Sequence, residues 1–275
     1  MAGRERRLSL FFVLTFALTW GVGGLWLLLP KTLTALFGPF AYGSPAYLVA
    51  ACAPSLVGLS LTAVEDGLGG LRAMARRLLP DTAATLIVAV LALPAIALAL
   101  SLVSPGAWPV KPSDVLVATP LLLLTTAQLV RNSGPWGEEF GWRGYALPRL
   151  LERWPPMTAG VILGLVWTLW HVPAFLFSGI VLSPIGDLGW YALGTVALSL
   201  LMTWLHVHGR GSLLVAGLIP HAMINALGAT GAWRTRPAEA VALAIFSLAL
   251  FRFWPPMRPE QQDGGDPHGQ HRSDS

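Results

Sequence analysis

Charged residues and cysteine are scarce in this chain of 275 residues. Asp, Glu, Lys and Arg make up 12% of the sequence, whereas soluble domains carry about 25%. Hydrophobic residues make up 54%, so the composition argues against an ordinary soluble protein and favours a membrane protein. Cys52 is the single cysteine, which excludes an internal disulfide bond and leaves the redox compartment undetermined.

The sequence also lacks an internal repeat and a compact basic patch. Many secondary transporters are built from repeats, so this lack disfavours that class. Lys and Arg outnumber Asp and Glu by 18 to 14, but they flank apolar stretches instead of forming one surface. This placement argues against a nucleic-acid partner.

Long apolar runs fill most of the chain. A helix needs about 20 mostly apolar residues to cross a membrane. Eight runs approach this length, and we predict transmembrane helices over 8–29, 44–64, 84–104, 115–133, 157–178, 188–206, 212–230 and 237–254. The predicted fold is therefore an all-α polytopic membrane protein with a single domain over 1–254. We predict a short interfacial helix over 66–80 and a disordered polar tail over 255–275.

The distribution of Lys and Arg predicts the orientation. Cytoplasmic loops of membrane proteins are enriched in these residues. If the N-terminus is cytoplasmic, eight spans place 14 of the 18 Lys and Arg residues on the cytoplasmic side. We therefore predict a multi-pass protein of the cell membrane with both termini in the cytoplasm.

The densest group of polar residues lies at 131–153. Glu139 and Arg143 are four residues apart, so they share one helix face and can form an ion pair. Glu138 lies about 100° away around the helix, which predicts that this carboxylate has no such partner and is free for chemistry. A stripe of glycines, typical of closely packed membrane helices, runs along the same segment and consists of Gly134, Gly137, Gly141 and Gly144.

Two later spans carry polar residues in apolar surroundings. His171 lies in the middle of one of them, two residues before Pro173. His221 and Asn225 are four apart on the face of another, and Pro220 should kink that helix. Ionisable residues at membrane depth are costly and often functional. Each segment alone is equally compatible with hydrogen bonds that only hold helices together.

Taken together and in order, the three segments resemble the motifs of the CPBP family of intramembrane proteases (CAAX proteases and bacteriocin-processing enzymes, also called Abi). The matching stretches read EEFGWR at 138–143, WTLWH at 167–171 and HAMIN at 221–225. The resemblance covers about 130–230. One departure is Trp167, where the family usually has phenylalanine; since an aromatic residue is kept, we expect an altered pocket shape and not a loss of chemistry.

The resemblance implies an intramembrane endopeptidase. It implies that Glu138 and His171 activate a water molecule and that His221 and Asn225 stabilise the oxyanion. Glu139, Arg143 and Trp167 are then supporting residues. The implied partners are membrane lipid and a protein or peptide substrate, prenylated or otherwise anchored in the membrane.

The same residues are compatible with other functions. Glu138, His171 and His221 could instead bind zinc, although the sequence lacks an H-E-x-x-H pair; we expect no cofactor. The chain could also be a transporter that uses these polar groups to line a path, or a catalytically idle peptide-binding immunity or scaffold protein.

The predicted spans also raise a problem of depth. Counted along the helices, His171 lies about 21 Å from the cytoplasmic side, whereas Glu138 lies near that boundary. The two side chains can share one water molecule only if the fourth helix extends inward past Glu138 or the fifth begins later. We expect a cavity that opens to the cytoplasm or to the inner leaflet.

Overall fold

The computed structural model describes residues 2–79, 82–103, 113, 133–177, 185–229, 231–233 and 236–256. The predicted fourth span, 115–133, lies outside the described residues except for Ser133. The predicted tail lies outside them from residue 257 onward.

Every regular element in the described ranges is helical. The α-helices are α1 Ala2–Leu28, α2 Pro30–Phe37, α3 Pro45–Ala51, α4 Ala53–Arg76, α5 Ala83–Val103, α6 Ser133–Glu139, α7 Leu147–Leu151, α8 Pro156–His171, α9 Leu188–His208, α10 Ile219–Ala229 and α11 Pro237–Phe253. Two π-helical segments are π1, Phe140–Ala146, and π2, Leu214–Leu218. Short 3₁₀ turns cover Val172–Leu176 and Ile185–Asp187.

Four of these helical stretches are long and apolar enough to cross a membrane. They are Arg6–Leu28, Ala83–Val103, Pro156–Leu176 and Ile185–His208. A fifth span results if the bent pair of α3 and α4 is counted as one. The chain is therefore an all-α polytopic membrane protein, as its composition predicts, while the count of eight spans and the side of the termini stay predictions.

The second predicted span, 44–64, is divided between two helices. The helices α3 and α4 meet at a bend of 57° next to Cys52. Pro54 has no N–H to donate to the carbonyl of Ala50, and the hydroxyl of Thr19 donates to that oxygen instead, at 2.7 Å. The bend is thus stabilised by a contact with α1.

The short helix predicted over 66–80 corresponds to the last part of α4, which is interrupted at Gly67 and ends at Arg76. Its position at the membrane interface stays a prediction. The φ angle of Gly67 is 62°, a value that side chains with a Cβ atom rarely adopt. The parts of α4 before and after this glycine are therefore separated by a kink.

The helix that carries Glu138 extends much further than the sequence pattern suggests. The segments α6, π1 and α7 follow one another without a gap from Ser133 to Leu151, and α8 begins at Pro156. At about 1.5 Å per residue, Glu138 and His171 each lie about 20 Å from the turn that joins these helices. The predicted difference in depth therefore disappears, because the earlier helix does extend past Glu138.

The predicted distortion at Pro220 takes the form of a π segment. Pro220 cannot donate to the carbonyl one turn earlier, and the preceding turns of π2 widen so that the Ile219 N–H bonds to the Leu214 carbonyl. Such π segments shift the faces of a helix relative to an ideal α-helix. Here the shift occurs directly before His221.

Three of the four striped glycines pack against α4 or its junction with α3. A Cβ atom on Gly141 would lie 2.2 Å from the Pro54 carbonyl oxygen, and one on Gly137 would lie 2.8 Å from Cys52 Sγ. At Gly144 the nearest atom is Met74 Sδ, at 3.3 Å. The predicted role of the stripe in close helix packing is therefore confirmed for these three glycines.

Arg77 joins three parts of the chain at one end of the bundle. Its guanidinium donates to the carbonyls of Gly211 at 2.7 Å, Gly144 at 3.0 Å and Arg143 at 3.0 Å. Burial lowers the pKa of Arg77 to about 10, so the group is still charged at neutral pH. Arg77 thereby holds the end of α4, the π1 segment and the turn before π2 together.

Candidate active site

A cavity of about 560 Å³ lies between the helices. Glu138 on α6, His171 at the end of α8, and His221 and Asn225 on α10 all line it. The four side chains proposed from the sequence thus converge on one space although they come from three separate helices.

Glu138 is buried and has a hydrogen-bond partner. The side chain is 4% exposed, and its Oε2 atom accepts a hydrogen bond of 2.6 Å from the indole N–H of Trp167. Its Oε1 atom lies 3.9 Å from His221 Nε2. The spacing predicts only that Glu138 lacks Arg143 as a partner, and the partner that it has, Trp167, lies on another helix.

Glu139 and Arg143 form the ion pair that their spacing predicts. Arg143 Nη1 donates to Glu139 Oε1 at 3.0 Å, and both side chains are fully buried. The same Oε1 atom lies 2.7 Å from His221 Nδ1. Glu139 therefore connects α6 to α10 in addition to neutralising Arg143.

The hydrogen bond to Glu139 determines which ring nitrogen of His221 carries a proton. A carboxylate oxygen paired with a guanidinium can only accept, so His221 Nδ1 is the donor. His221 Nε2 then faces Glu138 and the cavity. In the neutral ring this nitrogen is an acceptor, and in the imidazolium it is a second donor.

His171 is oriented by its own helix. Its Nδ1 atom lies 2.8 Å from the Trp167 carbonyl oxygen, and since a carbonyl only accepts, Nδ1 donates. The ring packs edge-on against Trp170 and Tyr191, with centroid distances of 4.7 and 5.6 Å. In the neutral ring, Nε2 therefore keeps its lone pair and can accept a hydrogen bond from a water molecule.

Asn225 is exposed within the cavity wall, one turn from His221. Gly134 faces both residues: a Cβ atom there would lie 3.0 Å from Asn225 Nδ2 and 3.3 Å from His221 Nε2. The glycine thus leaves open the space in front of these two nitrogen atoms. An oxygen atom of a bound substrate could occupy that space.

Part of the cavity wall comes from residues that sequence patterns did not single out. The cavity is also lined from α1, from the segment that leads into α3 and from α3 itself, by Thr19, Phe40, Tyr42 and Tyr47. The resemblance begins only at about residue 130, and single aromatic residues in an apolar chain carry no distinct signal. Only the packing of the helices brings these residues to the cavity wall.

The zinc alternative does not fit the arrangement of donors. Among the residues that the structure describes, no group of three or more His, Cys, Asp or Glu side chains could hold a metal ion. We therefore assign no step to a metal.

Comparisons with known proteins agree with the motif order. The model of a protein family described as type II CAAX prenyl endopeptidase Rce1-like matches residues 84–227. The CAAX prenyl protease 2 of Methanococcus maripaludis is 32% identical over 93 residues, which cover 32% of this chain and 34% of that protein. The aligned part thus spans about a third of the length of this curated relative.

The family match covers more than half of the chain, and Glu138, His171, His221 and Asn225 all lie inside it. The resemblance inferred from the three motifs is thereby confirmed. The chain belongs to the Rce1-like family of type II CAAX prenyl endopeptidases.

Proposed function

We propose that the protein is an intramembrane endopeptidase that hydrolyses a peptide bond of a membrane-associated substrate. The observation that carries this proposal is the convergence of one carboxylate, two imidazoles and one carboxamide on a single cavity among apolar helices. Family membership supports it independently.

In the proposed reaction, Glu138 and His171 hold the attacking water. The water donates one hydrogen bond to His171 Nε2 and the other to Glu138. As its oxygen attacks the peptide carbonyl, Glu138 takes the proton and later passes it to the leaving amine, so that one water and one amide give an acid and an amine. General acid–base catalysis of this kind typically contributes about 10²–10⁴-fold.

His221 and Asn225 would bind the oxygen that becomes negative in the transition state. Asn225 Nδ2 and His221 Nε2 both border the open space beside Gly134, and Nε2 can donate to the oxygen when it carries a proton. Donors aimed at such an oxygen typically contribute about 3–4 kcal/mol each. Glu139 would keep the His221 ring in place through the bond to Nδ1.

The substrate is proposed to be a protein or peptide with a lipid anchor. The cavity joins the polar groups to aromatic walls that include Phe40, Tyr47 and Phe177. The names of the family and of the curated relative refer to prenylated CAAX sequences, in which the lipid is attached to the cysteine. We extend that substrate class to this chain as a hypothesis, with access from the cytoplasmic leaflet of the cell membrane.

Cleavage by purified protein in detergent or liposomes tests the proposal. The substrate is a fluorogenic peptide that ends in a prenylated Cys-aliphatic-aliphatic-X sequence, with the unprenylated peptide alongside. We expect Glu138→Gln to lose at least about 10²-fold in rate, because glutamine keeps an oxygen for Trp167 but cannot accept the water proton.

The exposed Glu152, in the turn after α7, provides the matched control. Glu152→Gln should cleave like the wild type. Equal rates for Glu138→Gln and the wild type would contradict the assignment of the base. Substrate binding without cleavage would favour the scaffold alternative, and solute flux through liposomes would favour the transporter.

A further inference from the structure

Trp167 contacts four ionisable groups of the candidate site. Its indole N–H donates to Glu138, and its backbone carbonyl accepts from His171. The Arg143 guanidinium lies over its ring, with Cζ 4.2 Å from the centroid. The His221 ring packs edge-on against it at 5.3 Å. The indole therefore lies at the centre of the group of side chains proposed to carry the reaction.

These contacts leave the indole little freedom. The side chain is 3% exposed and is held between a cation on its face and an imidazole at its side. A cation over an aromatic face is attracted by the ring's charge distribution, more strongly when both are removed from water. The direction of the indole N–H is therefore fixed before any substrate binds.

The fixed N–H distinguishes the two oxygens of Glu138. Oε2 is 2.6 Å from the indole nitrogen, so one of its lone pairs is occupied. Oε1 lies on the side of His221 Nε2, at 3.9 Å, beyond direct hydrogen-bond distance, so this oxygen can accept a hydrogen bond from a water in the cavity. Without this hydrogen bond, the two carboxylate oxygens could exchange places, because the last torsion angle of a Glu side chain has a broad distribution.

We infer that Trp167 is a positioning residue for the proposed reaction, which presents Glu138 Oε1 to the attacking water by holding Oε2. This inference rests on the proposed function. It also replaces the expectation that an aromatic residue at this position changes only the shape of the pocket. A phenylalanine would keep the ring and the backbone bond to His171 but would lack the N–H donor.

The test removes the N–H donor and leaves the backbone carbonyl in place. In Trp167→Phe the ring is smaller, so a second variant carries 3-benzothienylalanine at position 167, in which sulfur replaces the indole N–H at nearly equal volume. The substrate is the prenylated fluorogenic peptide, and kcat and KM are measured separately. We expect kcat to fall about 10- to 100-fold in both variants, with KM changed less than about twofold because binding contacts are kept.

Trp204 provides the matched control. It is equally buried, and its indole N–H donates to the Trp254 carbonyl at 2.9 Å, but it does not line the cavity. The same two replacements at Trp204 should leave kcat unchanged even if they lower the unfolding temperature. A merely structural role of Trp167 would affect stability in the same way at both positions without a selective loss of kcat.

The possible results separate the two hypotheses. If Glu138→Gln is inactive while the benzothienyl variant at 167 keeps the wild-type kcat, the positioning role is refuted and the proposed function stands. If Glu138→Gln cleaves as fast as the wild type, both are refuted. If the 167 variants lose kcat and the 204 variants do not, the inference is supported.

Discussion

Replacing Gly134 by alanine would place a methyl group in front of the two side chains proposed to bind the oxyanion. The new Cβ atom would lie 3.0 Å from Asn225 Nδ2 and 3.3 Å from His221 Nε2. These distances are below ordinary carbon–nitrogen contact, and no space remains between them for a carbonyl oxygen, which needs about 2.7–3.1 Å to each donor.

The expected loss of activity follows from the number of donors affected. Loss of one oxyanion donor typically costs about 10²–10³ in kcat. Gly134→Ala should therefore lower kcat by at least about 10²-fold. Stability should change little or rise, because alanine is favoured over glycine in a helix by up to about 1 kcal/mol and the nearest atoms belong to side chains that can move.

Gly144→Ala is the matched control on the same glycine stripe. Its Cβ atom would meet Met74 Sδ at 3.3 Å, and a methionine side chain adapts readily. Both variants are assayed with the prenylated fluorogenic peptide, and their unfolding temperatures are measured in the same detergent. A stable Gly134→Ala protein that keeps more than about half of the wild-type kcat would refute the placement of the oxyanion between Asn225 and His221, since a blocked site should lose about 10²-fold.

Further outcomes are expected for packing, charge and metal dependence. Gly141→Ala should prevent folding, seen as loss of a monodisperse protein in detergent, because its Cβ atom would overlap the Pro54 carbonyl oxygen at 2.2 Å. Arg77→Met should lower the free energy of unfolding by about 3–5 kcal/mol, since it leaves three carbonyls without their charged donor; chemical denaturation checks this value. Glu139→Gln should lower kcat about 10- to 100-fold, because it removes the carboxylate that orients the His221 ring through Nδ1 and pairs with Arg143; an unchanged kcat would show that Glu139 serves only packing. Incubation with a chelator should leave cleavage unchanged, whereas a loss of cleavage that is restored by zinc would support the metal alternative.

Local and compositional properties were predictable from the sequence because they depend on few neighbours. The low charge content and the apolar runs predict a membrane protein, and four to five helices among the residues that the structure describes could cross a membrane. The pair of Glu139 and Arg143 follows from a spacing of one helical turn. The three motifs identify the family because each combines residue types and spacing within a single helix.

Contacts between helices were not predictable in this way. Glu139 meets His221 and Glu138 meets Trp167 across long stretches of chain, and sequence spacing carries no information on how two helices are rotated toward each other. The π1 and π2 segments add to this difficulty, because a wider turn shifts every later side chain to another face. The hydrogen bond from Trp167 to Glu138 was not predicted, because it joins two helices.

Single segments of the amino-acid sequence are enough to determine that this protein lies in a membrane and that it is helical. They also determine which residue types are available for chemistry. The reason is that the cost of placing polar groups in a membrane acts on each segment separately. Which of these groups share a cavity, and which oxygen of Glu138 faces it, follows only from the folded arrangement. The same holds for the part of the cavity wall that α1 and the bend beside Cys52 build. These properties depend on the close packing of whole helices, which no single segment specifies.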